Sequence, residues 1–173
     1  MAISWSSIEE QFSADAAAHW ASAQEFGLDC PFDVFEQLFH DHSGDEPFAG
    51  VVQFVDWASV QWEDTELSVL ALRRVGVPRP YQHAVDEARQ QTLAEGVQDE
   101  RPEIIEYWRT AGTWLRAPIL IAGEALGSSL TNVCLVGFTR LGNLLGLLDR
   151  QEVPEGARHR VWLGRSVLKR FPT

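Results

Sequence analysis

The stretch from Asn132 to Arg150 constrains the fold of this chain more than any other. Val133, Cys134, Leu135 and Val136 form a short apolar run suited to a buried strand. Gly137, Phe138 and Thr139 interrupt it, and from Arg140 onward Leu141, Leu144, Leu145 and Leu148 recur at helical spacing. The pattern reads as strand, one-glycine turn and helix. Such a turn is suited to binding an anion. Glycine lets the backbone approach a ligand closely, a threonine can cap the helix, and the first free N–H groups point outward beside the Arg140 guanidinium. Gly137, Phe138, Thr139 and Arg140 are therefore the expected anion- or nucleotide-binding residues. A structural ion pair between Arg140 and Asp149 or Glu124 is the competing expectation.

The remaining pattern predicts an α+β fold. Ser4 to Glu25 reads as a helix capped by Ser6 or Ser7, with Ile8, Phe12, Ala16, His19 and Ala23 along one side. Phe32, Phe35, Leu38 and Phe39 make the apolar stripe of a second helix that reaches His42. From Asp56 to Val75 the pattern is largely extended, with Val69 to Leu72 as its more buried part. A polar helix follows from Tyr81 to Ala94, and Pro102 opens another that Gly112 closes. Pro118 to Ile121 and His159 to Leu163 read as strands on either side of the central unit. Residues 1–55 are thus expected to form a helical N-terminal extension packed on an α+β core spanning 56–173, the whole making one globular unit. Gly142 and Gly146, four apart, should give the last helix a smooth side against the sheet.

Charge narrows the function classes. Residues 1–110 hold 21 acids and 6 Lys+Arg, a balance of −15, whereas residues 111–173 carry +4. An acidic surface repels nucleic acid and membranes and attracts basic partners. Glu63, Asp64 and Glu66 form its densest patch and are the expected contacts for a basic protein. No apolar run reaches the roughly 18 residues of a membrane span, and the first twenty residues hold acids without Lys or Arg, so a cytoplasmic protein is expected. Cys30 and Cys134 lie far apart and read as buried thiols. Glu36 and His40 stand four apart beside Asp33, Asp41 and His42, but no second pair at metal spacing completes a site, and no metal is assigned.

Cys134-Leu-Val-Gly-Phe-Thr-Arg-Leu-Gly142 and His159-Arg-Val-Trp-Leu-Gly164 resemble the motifs of small stand-alone bacterial ParB-like proteins. The first of those motifs runs approximately leucine-valine-glutamate-glycine-histidine-threonine-arginine-leucine-glycine. The resemblance, to the ParB/sulfiredoxin-like superfamily, covers about residues 117–164 and implies a small mixed sheet packed by helices, with the glycine turn contacting nucleotide phosphates. Val136 stands where the motif has its acid and Phe138 where it has its histidine, so the groups best able to hold a metal or move a proton are replaced. The expected function is therefore a non-catalytic, acidic protein-binding module, such as an immunity protein neutralising a basic bacterial toxin. The alternative is a nucleotide-binding ParB-like enzyme, an NTPase or small-molecule kinase, taking its nucleotide with Mg and recruiting Glu63, Asp64 or Glu66. DNA binding is the least favoured class, because no helix-turn-helix pattern follows the motif.

Overall fold

The computed structural model describes residues 3–9, 16–42 and 44–166. Helices α1 (Trp5–Glu9) and α2 (Ala16–Glu25) occupy the two ends of the first expected helix; Phe12 of its stripe lies outside the described residues. The cap of α1 is neither Ser6 nor Ser7: Ser4 Oγ accepts the Ser7 N–H at 3.3 Å. Helix α3 (Phe32–Val34) runs on into a π-helical stretch, Phe35–His40. Helix α4 (Glu46–Val52) is capped by Asp45, whose side chain accepts the Phe48 N–H. Strand β1 (Val60–Ser68) follows, then α5 (Val69–Leu72), α6 (Gln82–Glu95) and α7 (Pro102–Ala111). The chain continues through β2 (Ile119–Ala122), β3 (Asn132–Val136), α8 (Phe138–Asp149) and β4 (Arg158–Ser166).

The four strands form one mixed sheet in the order β1-β4-β2-β3. Strands β1 and β4 are antiparallel from Val60↔Ser166 to Ser68↔Arg158, β4 and β2 are parallel, and β2 and β3 are antiparallel. The fold is α+β, and helices cover both faces of the sheet. Ile119, Ile121, Val133 and Leu135 point to one face, where they meet Phe35, Leu38, Phe39 and Trp57 of the N-terminal region. Leu120, Cys134, Val161 and Leu163 point to the other and pack on Val85, Trp108, Leu141 and Leu144. Burial on both faces explains why β2 and β3 read as continuous apolar runs instead of alternating. The outer edge of β3 is partly covered by Gly76, which accepts the Cys134 N–H and donates to the Asn132 carbonyl.

Three further local expectations are corrected. Val69 to Leu72 is a helical turn instead of extended chain, because Ser68 Oγ accepts the Ala71 N–H at 3.3 Å and starts a helix where the apolar run alone suggested a strand. Helix α8 opens at Phe138, before Arg140, and Gly137 occupies its cap; Thr139 is already helical and exposed, so it caps nothing. Gly142 and Gly146 face α6, not the sheet. A Cβ on Gly142 would lie 2.7 Å from Ala88 Cβ, and one on Gly146 would lie 2.6 Å from Thr92 Cβ.

Candidate functional site

Strand β3 ends at Val136, and Gly137 turns the chain with φ +95°, a conformation open to glycine and strained for residues with a Cβ. The Leu141 N–H donates back to the Gly137 carbonyl, which closes the first turn of α8. The N–H groups of Phe138, Thr139 and Arg140 precede that bond and have no partner within the helix. Apolar β3 and the leucine face of α8 hold this turn between the sheet and α6, so its geometry is set by core packing.

Arg140 folds back over the turn. Its Nη1 donates to the carbonyls of Arg116 at 2.8 Å and Ala117 at 3.2 Å. The guanidinium lies so close to Gly137 that a Cβ there would sit 3.0 Å from Nε and 3.1 Å from Cζ. Burial pushes the Arg140 pKa down to about 10, which leaves it charged at neutral pH. Neither expected acid pairs with it: Asp149 is held by Arg89 at 2.6 and 3.1 Å, and Glu124 makes no ion pair with it. Among the described residues no carboxylate forms an ion pair with Arg140. Its Nη1 is spent on carbonyl oxygens, which neutralise no charge.

A cavity of about 440 Å³ opens at this turn, and all four sequence-predicted residues line it. Phe138 forms an aromatic wall and stacks on Tyr81, with centroids 4.4 Å apart and planes 6° from parallel. The Tyr81 hydroxyl donates to Asp45 Oδ2 at 2.8 Å, and burial together with that carboxylate raises the Tyr81 pKa. The same Asp45 oxygen lies 3.2 Å from His42 Nδ1, and His42 also lines the cavity. An imidazole is thus present near the turn, contributed by the π-helical end and not by the motif.

The opposite wall comes from residues that sequence reasoning passed over. Gln37 belongs to the π-helical stretch and is 2% exposed; its Nε2 donates to the Ala117 carbonyl at 3.4 Å. That is the carbonyl to which Arg140 donates, so the two side chains converge on one oxygen. Arg116 is clamped by Asp33 at 2.7 Å and Glu36 at 2.6 Å. Burial alone would raise the Asp33 pKa, but the hydrogen bonds from Arg116 and from Trp162 Nε1 hold it below the usual carboxylate value. Trp108 on α7, 4% exposed, closes the far side. A glutamine set among Phe35, Leu38 and Phe39 was the available sequence signal for the first of these; Trp108 on an amphipathic helix gave none.

Glu63, Asp64 and Glu66 do not belong to this site. They are exposed on β1, an outer strand of the sheet, and each meets an arginine of β4. Glu63 lies 3.7 Å from Arg165, Asp64 is held by Arg160 at 2.7 and 2.8 Å, and Glu66 lies 3.6 Å from Arg158. The acidic patch is therefore one side of a cross-strand ionic ladder. Cys30 and Cys134 are buried free thiols, and burial pushes each pKa up to about 12. Among the described residues no group of three His, Cys, Asp or Glu side chains is placed to hold a metal ion, and no helix is long and apolar enough to cross a membrane. No protein-family model, curated sequence or solved structure matches the chain.

Proposed function

We propose that this chain binds a small, anion-bearing ligand in the cavity at the β3–α8 turn. The observation that carries this reading is Arg140: a charged guanidinium that no described carboxylate neutralises, folded over a glycine turn beside the free N–H groups of a twelve-residue helix. A single phosphate or carboxylate placed there would supply the missing counter-charge. The resemblance to ParB-like proteins, whose turn contacts phosphates, agrees with this chemistry. The role is one of binding: Val136 and Phe138 supply neither acid nor base, and no reaction is assigned to His42.

The acidic protein-binding reading, with a basic toxin as partner, draws its support from the −15 balance of residues 1–110. Its three expected contact residues are each matched by an arginine, so the cavity makes the stronger case.

Thermal-shift titrations with inorganic phosphate, pyrophosphate and acetate, on the natural chain and Arg140→Gln, test the proposal. Stabilisation that is saturable in the natural chain and lost in a folded variant is expected. At about a hundred times its dissociation constant a ligand adds roughly 2.7 kcal/mol to stability. If Arg140→Gln lowers the unfolding midpoint without any ligand effect in either protein, Arg140 is a strut for the 116–117 carbonyls and the proposal fails.

A further inference from the structure

The cavity contains more than an anion site. Gln37 Oε1 and Trp108 Nε1 are buried polar atoms without a hydrogen-bond partner among the described residues, and both side chains line the cavity. Leaving such groups unpaired is costly, and an orphaned pair in one cavity points to a ligand that completes them. The Gln37 amide has its orientation fixed. Its nitrogen is committed to the Ala117 carbonyl, so its oxygen is left as an acceptor that asks for an N–H or O–H donor. Because Gln37 and Arg140 meet at that same carbonyl, the donor it asks for must sit close to the anion that Arg140 asks for.

Charge then narrows the class. Asp41, Asp99 and Glu103 line the cavity together with Arg101, Arg116 and Arg140, so its formal charges balance. A polyphosphate needs an excess of cations; a balanced cavity suits a ligand that is itself balanced. Asp41, the residue that caps the π-helical stretch four positions beyond Gln37, also lines the cavity and brings a carboxylate to it, 3.3 Å from His40 Nδ1. Arg101 is already engaged by Asp99 and Arg116 by Asp33 and Glu36, which leaves Arg140 as the lining guanidinium without a carboxylate. The arrangement is one anion socket with an acceptor and a carboxylate beside it. Phe138, Ile104 and Leu115 provide apolar wall beyond, where the Trp108 N–H offers one donor.

We infer that the ligand is a zwitterion of the α-amino-acid type: its carboxylate on Arg140 and the α8 N-terminus, its ammonium on Gln37 Oε1 and Asp41, and its side chain against the aromatic wall. This rests on the anion-binding reading and deepens it. The cavity, at about 440 Å³, lies in the lower part of the range of roughly 300–1,000 Å³ typical of small-molecule sites.

The test is a calorimetric titration of the full chain with each of the twenty standard L-α-amino acids, with the des-amino carboxylic acid of the best binder, and with pyrophosphate. At least one amino acid should bind, and its des-amino analogue should bind about tenfold or more weakly, because it leaves Gln37 and Asp41 unpaired. Gln37→Met, which keeps the length and removes the acceptor, should narrow that gap. Trp108→Phe should reduce affinity for the best binder without closing the gap. Equal binding of the amino acid and its des-amino analogue overturns the inference, as does the failure of every amino acid to bind. Binding of pyrophosphate alone, lost in Arg140→Gln, overturns it but leaves the anion-binding proposal standing; absence of binding by every compound removes both.

Discussion

At the scale of single residues, Gly137 and Arg140 are one device. The glycine is needed twice: its φ of +95° disfavours a side chain, and the space a Cβ would fill is taken by Pro118 and the Arg140 guanidinium. Gly137→Ala therefore does two things in one substitution. It strains the turn and pushes Arg140 off the 116–117 carbonyls. We expect a loss of about 1–3 kcal/mol in urea denaturation together with loss of anion binding. Thr139→Ala is the matched control, since Thr139 is exposed and caps nothing, and it should change stability by less than about 0.5 kcal/mol. An alanine at Gly137 that is neutral in stability would mean the turn tolerates a Cβ and that the guanidinium has another resting place. Gly137 could be read from sequence because it has a backbone reason to be there. The partners of Arg140 could not be read, because they are main-chain carbonyls, which no side-chain pattern announces.

At the scale of elements, α8 is fixed by what it touches on two sides. Its leucines pack toward the sheet while Gly142 and Gly146 let α6 approach closely, with Ala88 and Thr92 opposite them. Gly146→Ala would raise helix propensity by about 1 kcal/mol, yet its Cβ would meet Thr92 Cβ at 2.6 Å and the Arg89 carbonyl at 2.7 Å. Backbone cannot yield as a flexible side chain can, so overpacking should dominate, with a net loss of about 1–3 kcal/mol. An increase in the thermal midpoint would show that α6 moves away at little cost. Strand β3, α7 and the start of α6 were legible because apolar periodicity, Pro102 and Gly112 are local signals. The partner of the glycine face was not legible, since nothing in the α8 sequence distinguishes a sheet from a helix as its neighbour. The π-helical stretch was missed for a related reason. Phe35, Leu38 and Phe39 fit a regular helix equally well, and only the widened turn sets Gln37 beside the Ala117 carbonyl.

At the scale of the whole molecule, packing on both faces of the sheet places a histidine of the inner strand β4 where water does not reach it. His159 on β4 is 2% exposed, shares a hydrogen bond with Thr113 Oγ1 at 2.9 Å, and leaves Nε2 without a partner among the described residues. Its ring lies against Trp114 at 5.2 Å. Burial lowers its pKa below the ordinary 6.5, opposed in part by the charge of Glu66. The folded state therefore holds the neutral ring, while the unfolded chain takes up a proton near pH 6.5. Stability from this group is fully present above pH 6.5 and is lost as pH falls toward the lowered value in the fold. Asp33, Asp45, Asp99 and Asp149 also have lowered values, but their contribution is lost only as pH falls below the ordinary carboxylate value of 3.8, a separate window. Urea midpoints measured between pH 7.5 and pH 5 should fall in the natural chain and stay nearly level in His159→Gln, which keeps a hydrogen-bonding group near Thr113 without a titrating ring. A parallel fall in both proteins would assign the acid sensitivity to other groups and return His159 to an ordinary core position.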